Sequence, residues 1–160
     1  MARPCRLDGF SYVGFNRYFL TFCVKDRRCV FVDHSLVNLV LEQFRQTAAR
    51  EGFSISAYCF MPDHVHLLVE ATRATSDLRR FAKLAKQRAR AAHALLGLGR
   101  LWQAGYYERV LRDDDASRDV ARYILANPVR GGLVTSPLDY RYSGSDVWSM
   151  KELLDDVMSY

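Results

Sequence analysis

At 160 residues, 49% apolar and 26% charged, the chain has the profile of a soluble globular protein and is too apolar to remain disordered. That length suits one compact domain, expected over 1–160, and no apolar stretch is long enough to cross a bilayer as a helix. A formal charge of +5 favours a polyanionic partner, although a surplus this small also occurs in proteins that bind nothing acidic.

The first element is "RYFLTFCVK", a nearly continuous apolar run that reads as a strand covered on both faces. The apolar run at 18–24 lies between Arg17 and Lys25 and lacks the layout of a secretory signal, so the expected compartment is the cytoplasm. After the "KDRR" break, Ser35 can cap a helix whose Leu36, Leu39, Val40 and Phe44 recur at helical spacing up to Gly52. "FSISAYCFM" reads as a second strand. Met61-Pro62-Asp63 supplies a corner, and "HVHLLVEA" follows as a third strand, so the two make a hairpin. Thr75 or Ser76 can cap the next helix, with Leu78, Phe81, Ala85, Ala92 and Leu95 as its buried stripe to Gly97 or Gly99. "LWQAGYYERVL" reads as a fourth strand with a bulge at Gly105. A last helix runs from about 115 to 127: Asp113, Asp114 and Asp115 suit its positive end, while Pro128 and Gly131-Gly132 stop it. The pattern beyond Thr135 does not define an element.

Strand, helix, strand, strand, helix, strand is the split βαβ order of α+β, ferredoxin-like folds: an antiparallel sheet with helices on one face, here with an additional C-terminal helix carrying Tyr123. The four cysteines (Cys5, Cys23, Cys29, Cys59) form no CxxC pair, which suits reduced thiols better than disulfides or a structural zinc site.

Alternation along the third strand points His64 and His66 the same way, with α-carbons about 6.6 Å apart, close enough for both rings to reach one cation. Val65, Leu67 and Val69 then face the helices, and Asp63 reads as a turn residue. Spacing alone is equally met by two hydrogen-bonded core imidazoles. Tyr123 and Asn127 are four residues apart and share one side of the last helix, offering a phenol and an amide oxygen. Because Asn127 precedes a proline, it falls at the helix end; an ordinary amphipathic stripe and an Asn-Pro turn meet the same pattern. On the second helix, Arg79, Lys83, Lys86 and Arg90 form a basic stripe flanked by Arg80 and Arg88, suited to phosphate contact or simply to solvent. Arg122 and Arg130 bracket Tyr123, and Trp102, Tyr106 and Tyr107 offer base-stacking surfaces or core.

Taken together, "YFLTFCVKDRR", "FMPDHVHLLVE", "LWQAGYYERVL" and "ARYILANPVRGGLV" resemble the single-tyrosine HUH transposases, especially their REP-associated branch, in order over about 17–142. Asp63 stands where asparagine is frequent and Gly131 where alanine is common; the tail "PLDYRYSGSDVW" matches least. The resemblance implies a ferredoxin-like fold, His64 and His66 as the metal-binding pair, Tyr123 as nucleophile and Asn127 at the position of a third ligand. It also implies Mg2+ or Mn2+ as cofactor. Imidazoles alone suggest zinc, copper or nickel, but two histidines and one amide are too few protein ligands for a tight structural zinc site. The implied activity is cleavage and rejoining of hairpin-bearing single-stranded DNA through a 5′-phosphotyrosine, in relatives at short palindromes, by a monomer or a homodimer. The alternatives are a domesticated DNA-binding regulator of the same fold that does not cut, or a phosphodiesterase using water.

Overall fold

The computed structural model describes residues 7–158, with side chains to Asp155; Cys5 lies outside the described residues. Five strands and four helices follow in the order β1 (Arg17–Cys23), α1 (His34–Glu51), β2 (Phe53–Met61), β3 (His64–Ala71), α2 (Leu78–Ala94), β4 (Tyr107–Leu111), α3 (Asp114–Arg130), β5 (Ser143–Gly144) and α4 (Met150–Met158). The sheet order is β4-β1-β3-β2-β5 with every neighbouring pair antiparallel. The fold is therefore α+β with the expected ferredoxin-like strand order. Among the described residues no helix is long and apolar enough to cross a membrane.

The apolar runs at β1, β2 and β3 are continuous because both faces of the central sheet are covered, which corrects the expectation of helices on one face. Tyr18, Leu20, Phe22, Val65, Leu67 and Val69 meet α1 and α2 in the larger cluster. The alternate positions Phe19, Ala57, Cys59, Met61 and Leu68 meet Val120, Ile124 and Leu125 of α3 and Leu153 of α4. The tyrosine-bearing helix thus lies across the face to which His64 and His66 point.

Each of the first three helices is capped by an aspartate. Asp33, not Ser35, accepts from the Ser35 and Leu36 amides at 2.7 and 3.2 Å. Asp77, not Thr75 or Ser76, accepts from those of Arg79 and Arg80, while Ser76 turns inward to the Gly52 carbonyl. Asp113 caps α3 through the Ala116 amide. In each case the aspartate is extended and two or three residues before the amides it caps, where a carboxylate also suits the positive end of the helix dipole. Gly52 ends α1 at φ 75°, as expected from sequence.

Two other boundaries differ. The fourth strand starts only at Tyr107: Gly105 adopts φ 73°, and Trp102 is joined to Val24 by an isolated bridge. α3 passes through Asn127 and Pro128 to Arg130, so Asn127 lies inside the helix; amides of Gly131, Gly132 and Leu133 close its last turn on the carbonyls of 127, 129 and 128. Proline removes only one intrahelical donor, and Pro128 is buried. Beyond α3 the tail folds back along β2: the Tyr142 carbonyl accepts from the Phe60 amide at 2.9 Å and the Tyr140 hydroxyl donates to the Phe60 carbonyl at 2.6 Å.

Candidate functional site

The antiparallel register sets Thr21 opposite His66 and Cys23 opposite His64. His66 is 1% exposed and His64 half-buried, and their Nε2 atoms lie 3.1 Å apart. The outer nitrogens are anchored. His64 Nδ1 is 2.6 Å from Asp63 Oδ1, and His66 Nδ1 is 2.8 Å from Thr21 Oγ1. An ionised carboxylate only accepts, so His64 carries its proton on Nδ1 and leaves the Nε2 lone pair directed at His66. The Thr21 hydroxyl can donate or accept, which lets His66 keep a proton on Nε2 or surrender that lone pair as well.

Asp63 is therefore more than the expected turn residue. Its second oxygen accepts from Arg27 Nε at 2.8 Å, and Arg27 reaches it from a 3-10 turn in which Asp26 and Arg27 hold φ 58° and 52°. Left-handed backbone at two successive non-glycine residues costs energy that the surrounding contacts must offset. Burial lowers the pKa of both imidazoles; for His66, where the His64 charge adds to burial, it falls to about 3. Asp63 opposes the shift at His64 without reversing it. Both rings are neutral at pH 7, the state that binds a cation.

α3 brings Tyr123 over this pair. Its ring centroid lies 5.6 Å from that of His66 and 5.8 Å from that of Phe19, both edge-on, and Phe19 also touches His66 at 5.3 Å. The Arg130 guanidinium stands 4.7 Å from the Tyr123 ring centre. Tyr123 keeps 36% exposure at a cleft of about 380 Å³ lined by Phe19, Thr21, His66, Tyr107 and Arg109. Asn127 is one turn further along, its amide nitrogen buried without a hydrogen-bond partner. A Cβ at Gly131 would fall 2.9 Å from Met61 Cε, the far end of a flexible side chain that can turn aside, which leaves room for the alanine common at this position.

Converging imidazole lone pairs, neutral rings and anchored outer nitrogens suit a divalent cation. Among the described residues no cluster of three His, Cys, Asp or Glu side chains is placed to hold a metal. The site thus fits an exchangeable ion completed by oxygen donors better than a structural zinc.

The basic residues divide. Arg130 and Arg122 sit on α3 beside Tyr123, Arg122 3.4 Å from Asp119. Arg109, missed by sequence reading, joins them at the cleft. Arg79, Arg80, Lys83 and Arg90 are exposed on α2, across the sheet from the imidazoles; Arg79 covers the Tyr12 ring and Arg80 pairs with Glu51. Lys86 departs from the basic stripe. Its ammonium turns in to the carbonyls of Gln103 and Gly105, and burial lowers its pKa to about 8. Trp102 and Tyr106 belong to the core rather than to a stacking surface, leaving Tyr107 at the cleft.

Thr21, Arg27 and Arg109 are residues the sequence does not single out, and Asp63 reads there as a turn residue alone. Thr21 was within reach, since a strand antiparallel to the His64–His66 strand must present its own alternate positions to the same face.

Comparison with known proteins bears on the family and the fold. The family described as "Transposase IS200 like" matches residues 15–127. The REP-associated tyrosine transposase of Escherichia coli K12 is 25% identical over 133 residues, covering 82% of this chain and 78% of its own. The ISDra2 transposase TnpA of Deinococcus radiodurans is 39% identical over 64 residues, covering 40% of this chain and 45% of its own. A solved REP-associated tyrosine transposase bound to a REP hairpin superimposes with a TM-score of 0.74 at 23% identity, over 89% of this chain and 82% of that one, and shares the fold. With a family match spanning most of its length and covering the histidine strand and the tyrosine helix, the chain belongs to the IS200-like transposases.

Proposed function

We propose that the chain cleaves and rejoins hairpin-bearing single-stranded DNA, with Tyr123 as nucleophile and His64, His66 and Asn127 as ligands of Mg2+ or Mn2+. The observation that carries this reading is the meeting of the Tyr123 ring, 5.6 Å from His66, with two imidazole nitrogens 3.1 Å apart in one cleft. The REP hairpin bound by the solved relative supports a hairpin substrate.

When bound, the cation supplies Lewis-acid polarisation of a phosphate oxygen and charge stabilisation at the departing 3′ oxygen. The remaining work belongs to the chain. Phe19 and His66 hold the Tyr123 ring edge-on at the cleft, where the residue stays partly exposed. Arg130 and Arg109 provide positive charge for the phosphodiester. The Tyr123 oxygen bonds to phosphorus as the P–O3′ bond breaks; the phenol gives up its proton and the 3′ oxygen gains one. The product is a 5′-phosphotyrosine and a free 3′ hydroxyl, so phosphodiester bond energy is conserved and rejoining needs no ATP. Asp63 and Thr21 fix the imidazoles through their Nδ1 atoms. The stripe of Arg79, Lys83 and Arg90 is open only to a part of a folded substrate that reaches round the sheet.

Labelled hairpin DNA incubated with the protein and Mg2+ or Mn2+, then denatured, should give a covalent protein–DNA band that Tyr123→Phe abolishes. A band that persists in Tyr123→Phe, or cleavage with no band, refutes the assignment.

A further inference from the structure

A second and larger cavity, about 520 Å³, lies on the other side of α3, between that helix, the sheet and the segment leading into α4. The chemistry proposed above makes no use of it. Its walls combine apolar surface from Leu68, Ala121 and Leu153 with three carboxylates, Glu70, Asp114 and Glu152, and two guanidiniums, Arg17 and Arg118. We infer that this cavity receives one unpaired nucleobase of the strand held at Tyr123, and that it prefers bases bearing an exocyclic amino group.

Position is the first reason. Ala121 lines this cavity and Tyr123 the catalytic cleft from opposite sides of α3, a helix about 10 Å across with its side chains, so a strand that crosses α3 can serve both sites. Charge is the second. Set against the two guanidiniums, the three carboxylates still leave the lining net negative in a chain of net charge +5, so an uncharged base is favoured there over a phosphodiester. Carboxylates accept hydrogen bonds, and the amino groups of adenine, cytosine and guanine donate them, whereas thymine has none.

The third reason is preorganisation. Arg17 is clamped between Glu70, at 3.2 Å, and Asp114, so the polar wall is set before any ligand arrives. Trp148 lines the cavity with 47% of its surface exposed, and Ser145 Oγ accepts from its backbone amide at 3.1 Å, so the backbone is anchored beneath a ring on which a base can stack. A register shift between Ile55 and Ala57 marks a bulge in β2 at Ser56, a 4% exposed hydroxyl residue that also lines the cavity.

This inference rests on the strand-cleaving reading for its ligand but is tested apart from it. Tryptophan fluorescence is followed during titration with each deoxynucleoside 5′-monophosphate; Trp102 is 4% exposed, so the response belongs to Trp148, and Trp148→Phe should remove it. Saturable quenching by dAMP, dCMP and dGMP is expected at concentrations about tenfold below those needed for dTMP. Glu70→Gln, whose amide also donates, should bring dTMP level with the others. Ser117→Phe, filling the cavity from a half-buried helical position, should abolish quenching with the circular dichroism spectrum unchanged. Equal quenching by dTMP or by deoxyribose 5-phosphate overturns the inference, as does quenching that survives in folded Ser117→Phe; should that variant not fold, Glu70→Gln decides. A covalent DNA adduct without Trp148 quenching removes the base site alone, whereas quenching without an adduct removes the strand-cleaving reading alone.

Discussion

Acidification should destabilise this protein through His66. The ring is 1% exposed, and its pKa falls from the ordinary 6.5 to about 3 in the folded chain. Between those values the unfolded chain holds a proton that the folded one does not, so folding free energy is lost as pH falls and the loss levels off below about 3. One proton is worth about 1.4 kcal/mol per pH unit, so descent from 6.5 to pH 4 removes about 3 kcal/mol. His64, shifted the same way, adds to it. Urea unfolding in EDTA at pH 7 and pH 4, on wild type and His66→Gln, isolates the contribution: glutamine does not titrate, and other groups cancel in the difference. The gap between the two proteins should change by about 3 kcal/mol in favour of the variant at low pH. Parallel losses would refute the reasoning.

Two further outcomes follow from packing and charge. Gly144→Ala would put a Cβ 2.6 Å from Tyr58 Oη and 2.8 Å from its Cζ; a packed ring yields little, so β5 must shift at about 1–3 kcal/mol, read as a Tm drop of several degrees. In fluorescence anisotropy on hairpin DNA, Arg109→Gln should reduce the slope of log affinity against log salt by about 1, while Lys86→Met should leave it unchanged, because the Lys86 ammonium is held by the Gln103 and Gly105 carbonyls.

What the sequence disclosed depended on how local the cause was. β2 and β3 have the bounds expected, since Met61-Pro62-Asp63 forces a corner between two apolar runs, and Gly52 ends α1 where a left-handed residue was required. The caps differ from expectation because serine, threonine and aspartate are all good capping residues, and only the backbone decides which of them is extended. The side of the sheet taken by α3 was hidden for a different reason: an amphipathic stripe such as Val120, Ile124 and Leu125 says that one face is buried, not against what. His64, His66 and Tyr123 meet in one cleft, a meeting for which a strand of period two and the family motif give the sequence-level reason. Thr21 and Arg27 escaped because their importance arises from pairing across the chain, Thr21 with His66 and Arg27 with Asp63. Lys86 departs from the stripe because helical spacing treats every lysine on it as solvent-facing, and a long side chain can bend back over an apolar neighbour to reach carbonyls.

The two faces of the sheet bear different loads. Interlocked rings such as Phe22, Phe31, Phe44, Phe60 and Trp102 lie on the α1–α2 side, while the opposite side carries neutral imidazoles, an unmatched amide and two open hollows. Drift in substrate preference can therefore proceed on the thinner layer, one residue at a time, without spending the margin that keeps the polypeptide folded.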